Sequence, residues 1–493
     1  MLEPVAQEAA ESVLEGASRP SILSAPAEAS ATARPVVGRE NSGGIERMGA
    51  PLIGDDGCTS SGGGDSGGGM AATPSNLDNV PRSEHNSPTL TIFLLVNTMI
   101  GAGILNMPQV FKEAGIFMGL CGFVVTAFAT WLGLNLLIML GERMGVMDYG
   151  AIARKNFGQR GVQFVDWCIV IHGFGAMLSY LITIGEVGAS VYQALDGHNT
   201  AAEELEDPAP SMALYRTIAT VCTAFFVLPL CLIREYGHLA WISVLSIASI
   251  GGVMVLVIAH GPAVGREQAG AAERADVNIW PASGNGFFRK IGSVSFALGC
   301  ASAAFHAYCS MKPCNPRVWR RVTGWAVVVG STLCCATGVA GYVAFRDNTK
   351  GEILDNFDRS DDAANFFRVL LILHLILYVP VDFVVMRYSL YKIFGYDMKT
   401  SPRRVYVPVS MALLALALGM ALITKDFGLV LDLTGGVAGA SLYYIVPAVV
   451  VLKAWDRRDS TWVSAAALFV GGMFVVLITL TYSLFLPAGG GGH

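Results

Sequence analysis

The sequence is most informative at Val96-Asn97-Thr98-Met99-Ile100-Gly101-Ala102-Gly103-Ile104-Leu105-Asn106-Met107-Pro108. This stretch lies in an apolar run over residues 90–113, which is long enough to cross about 30 Å of hydrocarbon. Gly and Pro weaken a helix, and irregular backbone persists at that depth only where it is buried or lines a cavity. We therefore expect the helix to unwind near Gly101–Gly103 and to turn free amides, which favour a carboxylate, toward a gap. The alternative is an unbroken helix whose glycines form a packing surface.

The composition excludes several classes of protein. The 493 residues are 53% hydrophobic and only 14% charged, whereas soluble domains carry about 25% charged residues. An ordinary soluble enzyme and a fully disordered chain are therefore excluded. Nucleic-acid binding is also excluded as the main function, because 33 Lys and Arg stand against 38 Asp and Glu without a basic stripe. Membrane lipid is the expected surrounding of most of the surface.

The chain divides into a polar tail and a series of apolar spans. Residues 1–85 are rich in Ala, Ser, Gly and Pro and predict a disordered cytoplasmic tail. Residues 86–488 predict one all-α, polytopic membrane domain, because lipid-exposed backbone must satisfy its hydrogen bonds within helices. We expect 11 transmembrane helices, at 90–113, 116–140, 163–195, 213–233, 239–260, 291–311, 319–345, 364–391, 404–424, 427–452 and 461–486.

Basic residues set the expected orientation. Lys and Arg concentrate in every second gap between spans, beginning with Arg143, Arg154, Lys155 and Arg160. Gap 196–212, on the opposite side, has acidic residues and no Lys or Arg. The bias predicts a cytoplasmic N-terminus and an external C-terminus. It leaves open whether the membrane is the plasma membrane or that of a vacuole or lysosome.

Several motifs resemble one known family. Asn97 to Leu105 resembles the first-helix signature of the amino acid/auxin permease family, nearest its sodium-coupled neutral amino acid transporter branch. Gly175 to Leu181 resembles the third helix of that family, Gly341 to Phe345 the seventh, and Gly435 to Pro447 the tenth. Neither a Walker loop nor an HExxH motif occurs in the sequence, and we expect no enzymatic activity.

The resemblance implies a fold and a function. The fold would be LeuT-like, with helices 1–5 and 6–10 forming a 5+5 inverted repeat, helix 11 as an addition, and breaks in helices 1 and 6. The function would be secondary active transport of amino acids, in the first instance neutral ones, by alternating access. The alternative is an amino-acid-sensing membrane receptor that uses the same pocket and signals through the tail to a cytosolic partner.

The resemblance also implies the site. Main-chain amides near Gly101 would bind the substrate carboxylate, carbonyls of the sixth span would accept from the amino group, and the third helix would close one wall. The expected substrate-binding residues are Thr98, Gly101, Ala102, Gly103, Ser179, Tyr180, Phe296, Ala297 and Cys300.

The coupling ion is open at this stage. Asn97, Ile100 and Tyr378 are the expected ion-coupling residues by resemblance, with Na⁺ or H⁺ as the ion and no other metal or cofactor. The eighth span carries no Ser or Thr from Ala363 to Tyr388, which departs from the hydroxyl of the sodium-coupled branch. Ionisable residues within spans are candidate proton carriers, namely His172, Glu186, His306, His374 and Asp382.

Overall fold

The computed structural model describes residues 86–197, 211–233, 240–269, 276–280, 286–398, 400–424, 426–455 and 458–485. The predicted tail, residues 1–85, lies outside the described residues. The described part is helical, and it contains no β-strand. We number its main helices α1 Pro88–Met99, α2 Met107–Ala114, α3 Ile116–Met144, α4 Tyr149–Gly197, α5 Met212–Cys231, α6 Ala240–Val255, α7 Gly286–Ala297, α8 Ala304–Ser310, α9 Pro316–Phe345, α10 Asp362–Ile393, α11 Arg403–Ile423, α12 Phe427–Ala454 and α13 Ser460–Leu480.

The helix starts follow from capping side chains in the sequence. Ser87 accepts a hydrogen bond from the Leu90 amide at 3.2 Å and thereby caps α1, with Pro88 at the first helical position. Asp361 accepts from the Ala364 amide at 3.0 Å and caps α10. These residues satisfy amides that would otherwise lack partners at the start of each helix.

The helices have the length and the surface expected for a membrane protein. Ten helices in the described residues are long and apolar enough to cross a membrane, and α1 with the segment Gly103–Ala114 forms one bent pair that passes the same test. Large apolar side chains project outward, among them Val124, Phe225, Val470 and Ile423, with 70%, 72%, 65% and 81% of their surface exposed. Such a surface is stable against lipid rather than water.

α7 is in contact with several other helices. α10 packs along α4, while α7 contacts α2, α12 and α13. Gly292 brings α7 close to α12, because a Cβ atom at this position would lie 2.1 Å from the Asp432 carbonyl oxygen. Gly286 brings α7 close to α2, because a Cβ atom there would lie 1.8 Å from the Glu113 carbonyl oxygen. The bent pair, α7 and α12 are therefore held together at backbone distance.

A groove of about 630 Å³ opens on the outer surface between α3 and α9. Its lining is largely apolar and includes Phe123, Phe128 and Val328. Phe128 and Val328 are among the exposed apolar residues, so the groove belongs to the outer apolar surface and not to the breaks described next.

Candidate functional site

The first break interrupts the predicted first span at the predicted place. α1 ends at Met99, and Gly101 is extended, with φ −79° and ψ −158°. A 3₁₀ helix then runs over Ala102–Asn106 and leads into α2, and the two halves of the span meet at 55°. The sequence-based expectation of an interrupted helix is confirmed.

The break leaves amides without helical partners and has open space beside it. The 3₁₀ ladder starts with the Ile104 amide donating to the Gly101 carbonyl at 3.2 Å, so the amides of Ala102 and Gly103 come before the first donor of the ladder. A Cβ atom added at Gly101 would meet no atom within 4 Å. A small anionic group could therefore approach this backbone without displacing a side chain.

The second break lies in the predicted sixth span. α7 ends at Ala297, Leu298–Cys300 is not helical, and a 3₁₀ turn over Ala301–Ala303 leads into α8. Cys300 has φ −139° and ψ 9°, outside helical values. The two breaks lie side by side, because a Cβ atom at Gly103 would be 3.1 Å from the Ala297 Cα.

Aromatic side chains surround the second break. A Cβ atom at Gly299 would lie 2.5 Å from the ring of Tyr443, which comes from α12. The Tyr443 hydroxyl is 3.0 Å from Nε2 of His172 on α4. The His172 ring lies 5.5 Å from the Phe296 ring, so three helices place aromatic groups around one break, and two of these groups are polar.

A second aromatic group joins α4 to α10. The Tyr180 hydroxyl donates to Oδ2 of Asp382 at 3.0 Å. The Tyr180 and Tyr378 rings meet edge to face at 5.9 Å, and Tyr378 lies 5.3 Å from the His374 ring. Tyr180 and Tyr378, both predicted from the sequence as site residues, thus lie together with the candidate proton carriers Asp382 and His374.

Other predicted residues are differently engaged. The Thr98 hydroxyl donates to the Leu94 carbonyl at 2.9 Å, and the buried Ser179 hydroxyl donates to the Ala176 carbonyl at 2.7 Å. Both hydroxyls are bonded to their own helices. Asn97 and Ile100 are partly buried at the end of α1, while Ala297 and Cys300 are buried at the second break. Direct contact of any of these residues with a ligand or ion stays a prediction.

An ion pair that sequence reasoning missed joins α7 to α12. The Lys290 ammonium lies 3.1 Å from Oδ2 of Asp432, and Ser293 donates to Oδ1 through its amide at 2.9 Å and its hydroxyl at 2.6 Å. Asn106, at the end of the 3₁₀ helix, donates to the Ser293 hydroxyl at 2.9 Å. The available signal was a charge inside an apolar run, because Asp432 lies within the predicted tenth span.

Comparison with known proteins identifies the family of the chain. A family described as "Transmembrane amino acid transporter protein" matches residues 84–488, so the chain belongs to that family. It is accordingly a membrane transporter rather than an enzyme.

Individual relatives cover most of the chain. The "Putative sodium-coupled neutral amino acid transporter 11" of Mus musculus is 27% identical over 408 residues, which are 82% of this chain and 86% of the relative. The "Vacuolar amino acid transporter 2" of Saccharomyces cerevisiae is 25% identical over 389 residues, 76% of this chain and 79% of the relative. The "Sodium-coupled neutral amino acid transporter 7" of Danio rerio is 24% identical over 420 residues, 80% and 84% of the two chains.

Proposed function

We propose that this protein is a secondary active transporter that moves neutral amino acids across a membrane by alternating access, coupled to Na⁺ or H⁺. The observation that carries the proposal is the pair of adjacent helix breaks at Gly101 and Leu298–Cys300. An amino acid is a zwitterion, and its two charges are costly to remove from water unless each meets polar partners. Amides at the start of one half-helix and carbonyls at the end of another supply both.

The side chains at the breaks favour a neutral substrate. Phe296, Ala297 and Cys300 are uncharged, and Tyr443 presents a hydroxyl and a ring. Nothing in this set compensates a charged substrate side chain. The names of two relatives, which refer to neutral amino acids, support the same substrate class.

The finer topology is part of the proposal. Counting the bent pair α1 and α2 as one span gives eleven, which supports a LeuT-like inverted repeat of helices 1–5 and 6–10 followed by one more helix. The distribution of Lys and Arg supports a cytoplasmic N-terminus. The membrane in which the protein resides is either the plasma membrane or that of a vacuole or lysosome, and the yeast relative named as vacuolar supports the second of these. The receptor alternative depends on the tail, residues 1–85, and no observation in the described residues favours it.

Uptake into proteoliposomes tests the proposal. The purified full-length protein is reconstituted, and uptake of labelled L-alanine, L-glutamine and L-leucine is followed with and without sodium and pH gradients. We expect accumulation of at least one of them, driven by a gradient and abolished when that gradient is collapsed. Empty liposomes are the control, and uptake no greater than theirs for every amino acid would contradict the proposal.

A further inference from the structure

Asp382 is a carboxylate inside a span, and no basic side chain in the described part of the chain forms an ion pair with it. It lies in α10, partly exposed, where Val379, Phe383 and Met386 on the same helix are buried. Its one side-chain hydrogen bond in the described residues is the 3.0 Å bond from the Tyr180 hydroxyl. No ion pair of the described chain includes it, whereas Asp432 is paired with Lys290.

The groups found near Asp382 among the described residues are neutral in their ordinary states. Tyr180 of α4 contacts it, and Tyr443 of α12 and Tyr378 of its own helix are near enough to interact with it electrostatically. His374 stands beyond Tyr378, and His172 stands beyond Tyr443. An unpaired charge in such surroundings is costly, so the carboxylate requires either a bound cation or a proton.

A proton meets this requirement better than sodium does. A sodium ion replaces its hydration shell with several oxygen ligands, while a proton needs only one carboxyl oxygen. α10 provides no Ser or Thr hydroxyl between Ala363 and Tyr388. The hydroxyl nearest Asp382, that of Tyr180, donates its hydrogen to the carboxylate.

Asp382 is also linked to the breaks through helices that contact them. α4 carries both Tyr180 and His172, and His172 contacts Phe296 and Tyr443 at the second break. α4 and α10 are close here, because a Cβ atom at Gly173 would lie 3.5 Å from the Asp382 carbonyl oxygen. A change in the Tyr180–Asp382 bond can therefore move α4 against α10 beside the substrate region.

We propose that Asp382 binds and releases the coupling proton of transport. The inference rests on the proposed transport function and adds the ion and the residue. An O–H bond forms at the Asp382 carboxylate when a proton enters from one side of the membrane, and it breaks when the proton leaves to the other. Protonation weakens the acceptor of the Tyr180 hydroxyl, since hydrogen bonds to ionised groups are about twice as strong as neutral ones. Tyr180 is then released to change partner as α4 and α10 move.

The test compares two kinds of transport in proteoliposomes with the same three labelled amino acids. Wild type should accumulate substrate when the outside is acidic, lose accumulation with a protonophore, and ignore a sodium gradient at clamped pH. Asp382→Asn should lose at least about tenfold in gradient-driven accumulation and keep exchange of labelled for unlabelled substrate, which needs no net proton movement. Glu267→Gln, an exposed carboxylate in the segment after α6, is the matched control and should behave as wild type.

A second measurement covers the case in which Asp382→Asn does not fold. A pH dye trapped inside wild-type vesicles should report proton entry when substrate is added outside, and Asp382→Glu should keep that entry. A sodium-driven wild type without proton entry would overturn the inference and leave the proposed function intact. Accumulation that is driven by a pH gradient and persists in Asp382→Asn would also overturn the inference. Absence of all uptake and exchange by wild type would instead contradict the proposed function.

Discussion

Breaking the Lys290–Asp432 pair should strongly destabilise this protein, because both partners are buried. The side chains of Lys290 and Asp432 are only 11% and 5% exposed. In Lys290→Met the Asp432 carboxylate keeps the two bonds from Ser293, at 2.9 and 2.6 Å, and loses the one cation that pairs with it among the described residues. Removal of one partner from a buried pair costs about 3–5 kcal/mol, because the remaining charge is left uncompensated.

The double variant gives the matched comparison. Lys290→Met with Asp432→Asn removes both charges and retains an oxygen that can accept from Ser293. We therefore expect its free energy of unfolding to lie within about 1–2 kcal/mol of wild type, well above that of Lys290→Met alone. Arg404→Met, at an exposed position, is the control and should change the free energy of unfolding by about 0.5 kcal/mol or less.

Unfolding of the four purified proteins by SDS in mixed micelles measures these values. A cost for Lys290→Met below about 1 kcal/mol, the range of an exposed pair, would refute the reasoning that the pair is buried. A double variant that is less stable than Lys290→Met would refute it too, because it would show that removing the Asp432 charge does not relieve an uncompensated buried charge.

Three further predictions follow from the close contacts and from the buried acid. Gly292→Ala should lower the free energy of unfolding by about 1–3 kcal/mol, because the added Cβ would lie 2.1 Å from a carbonyl oxygen. Gly419→Ala is the control and should not lower it, because no atom lies within 4 Å of the added Cβ. Equal effects of the two changes in SDS unfolding would contradict the tight contact. Gly101→Ala should leave the free energy of unfolding within about 0.5 kcal/mol of wild type. It should reduce amino acid uptake at least about tenfold, because the new methyl group fills the space beside the break. Unchanged uptake would count against this site. Burial and then the nearby Asp355 and Glu186 raise the pKa of Glu352 well above its ordinary value. Its contribution to stability is present below the unfolded-state pKa of about 4.3 and is lost as pH rises through the higher folded-state pKa, so thermal stability should fall with rising pH, and a curve of the same slope in Glu352→Gln would argue against it.

The broken spans could be predicted because their cause is local. Gly101 and Gly103 weaken the helix within the stretch that contains them, and the small residues around Gly299 do the same in the sixth span. Local reasoning says less about the hydroxyl residues of the predicted site. Thr98 and Ser179 are hydroxyl residues that bond the carbonyls of their own helices, a common alternative to contact with a ligand.

The partners of the site could not be predicted because they are set by packing between distant segments. Lys290 meets Asp432 across 142 positions of the chain, and Tyr443 meets His172 across 271. Tyr180 and Asp382 were both singled out from the sequence, yet their bond, across 202 positions, depends on how α4 packs along α10. No spacing within one helix encodes such a pair.

An experimental structure with a neutral amino acid bound tests the central claim most directly. We expect α1 to end at Met99, and the substrate carboxylate to lie about 2.7–3.2 Å from the amide nitrogens of Ala102 and Gly103. The amino group should face the carbonyls at Leu298–Cys300. A continuous helix through Gly101, or an amino acid bound away from both breaks, would contradict the account.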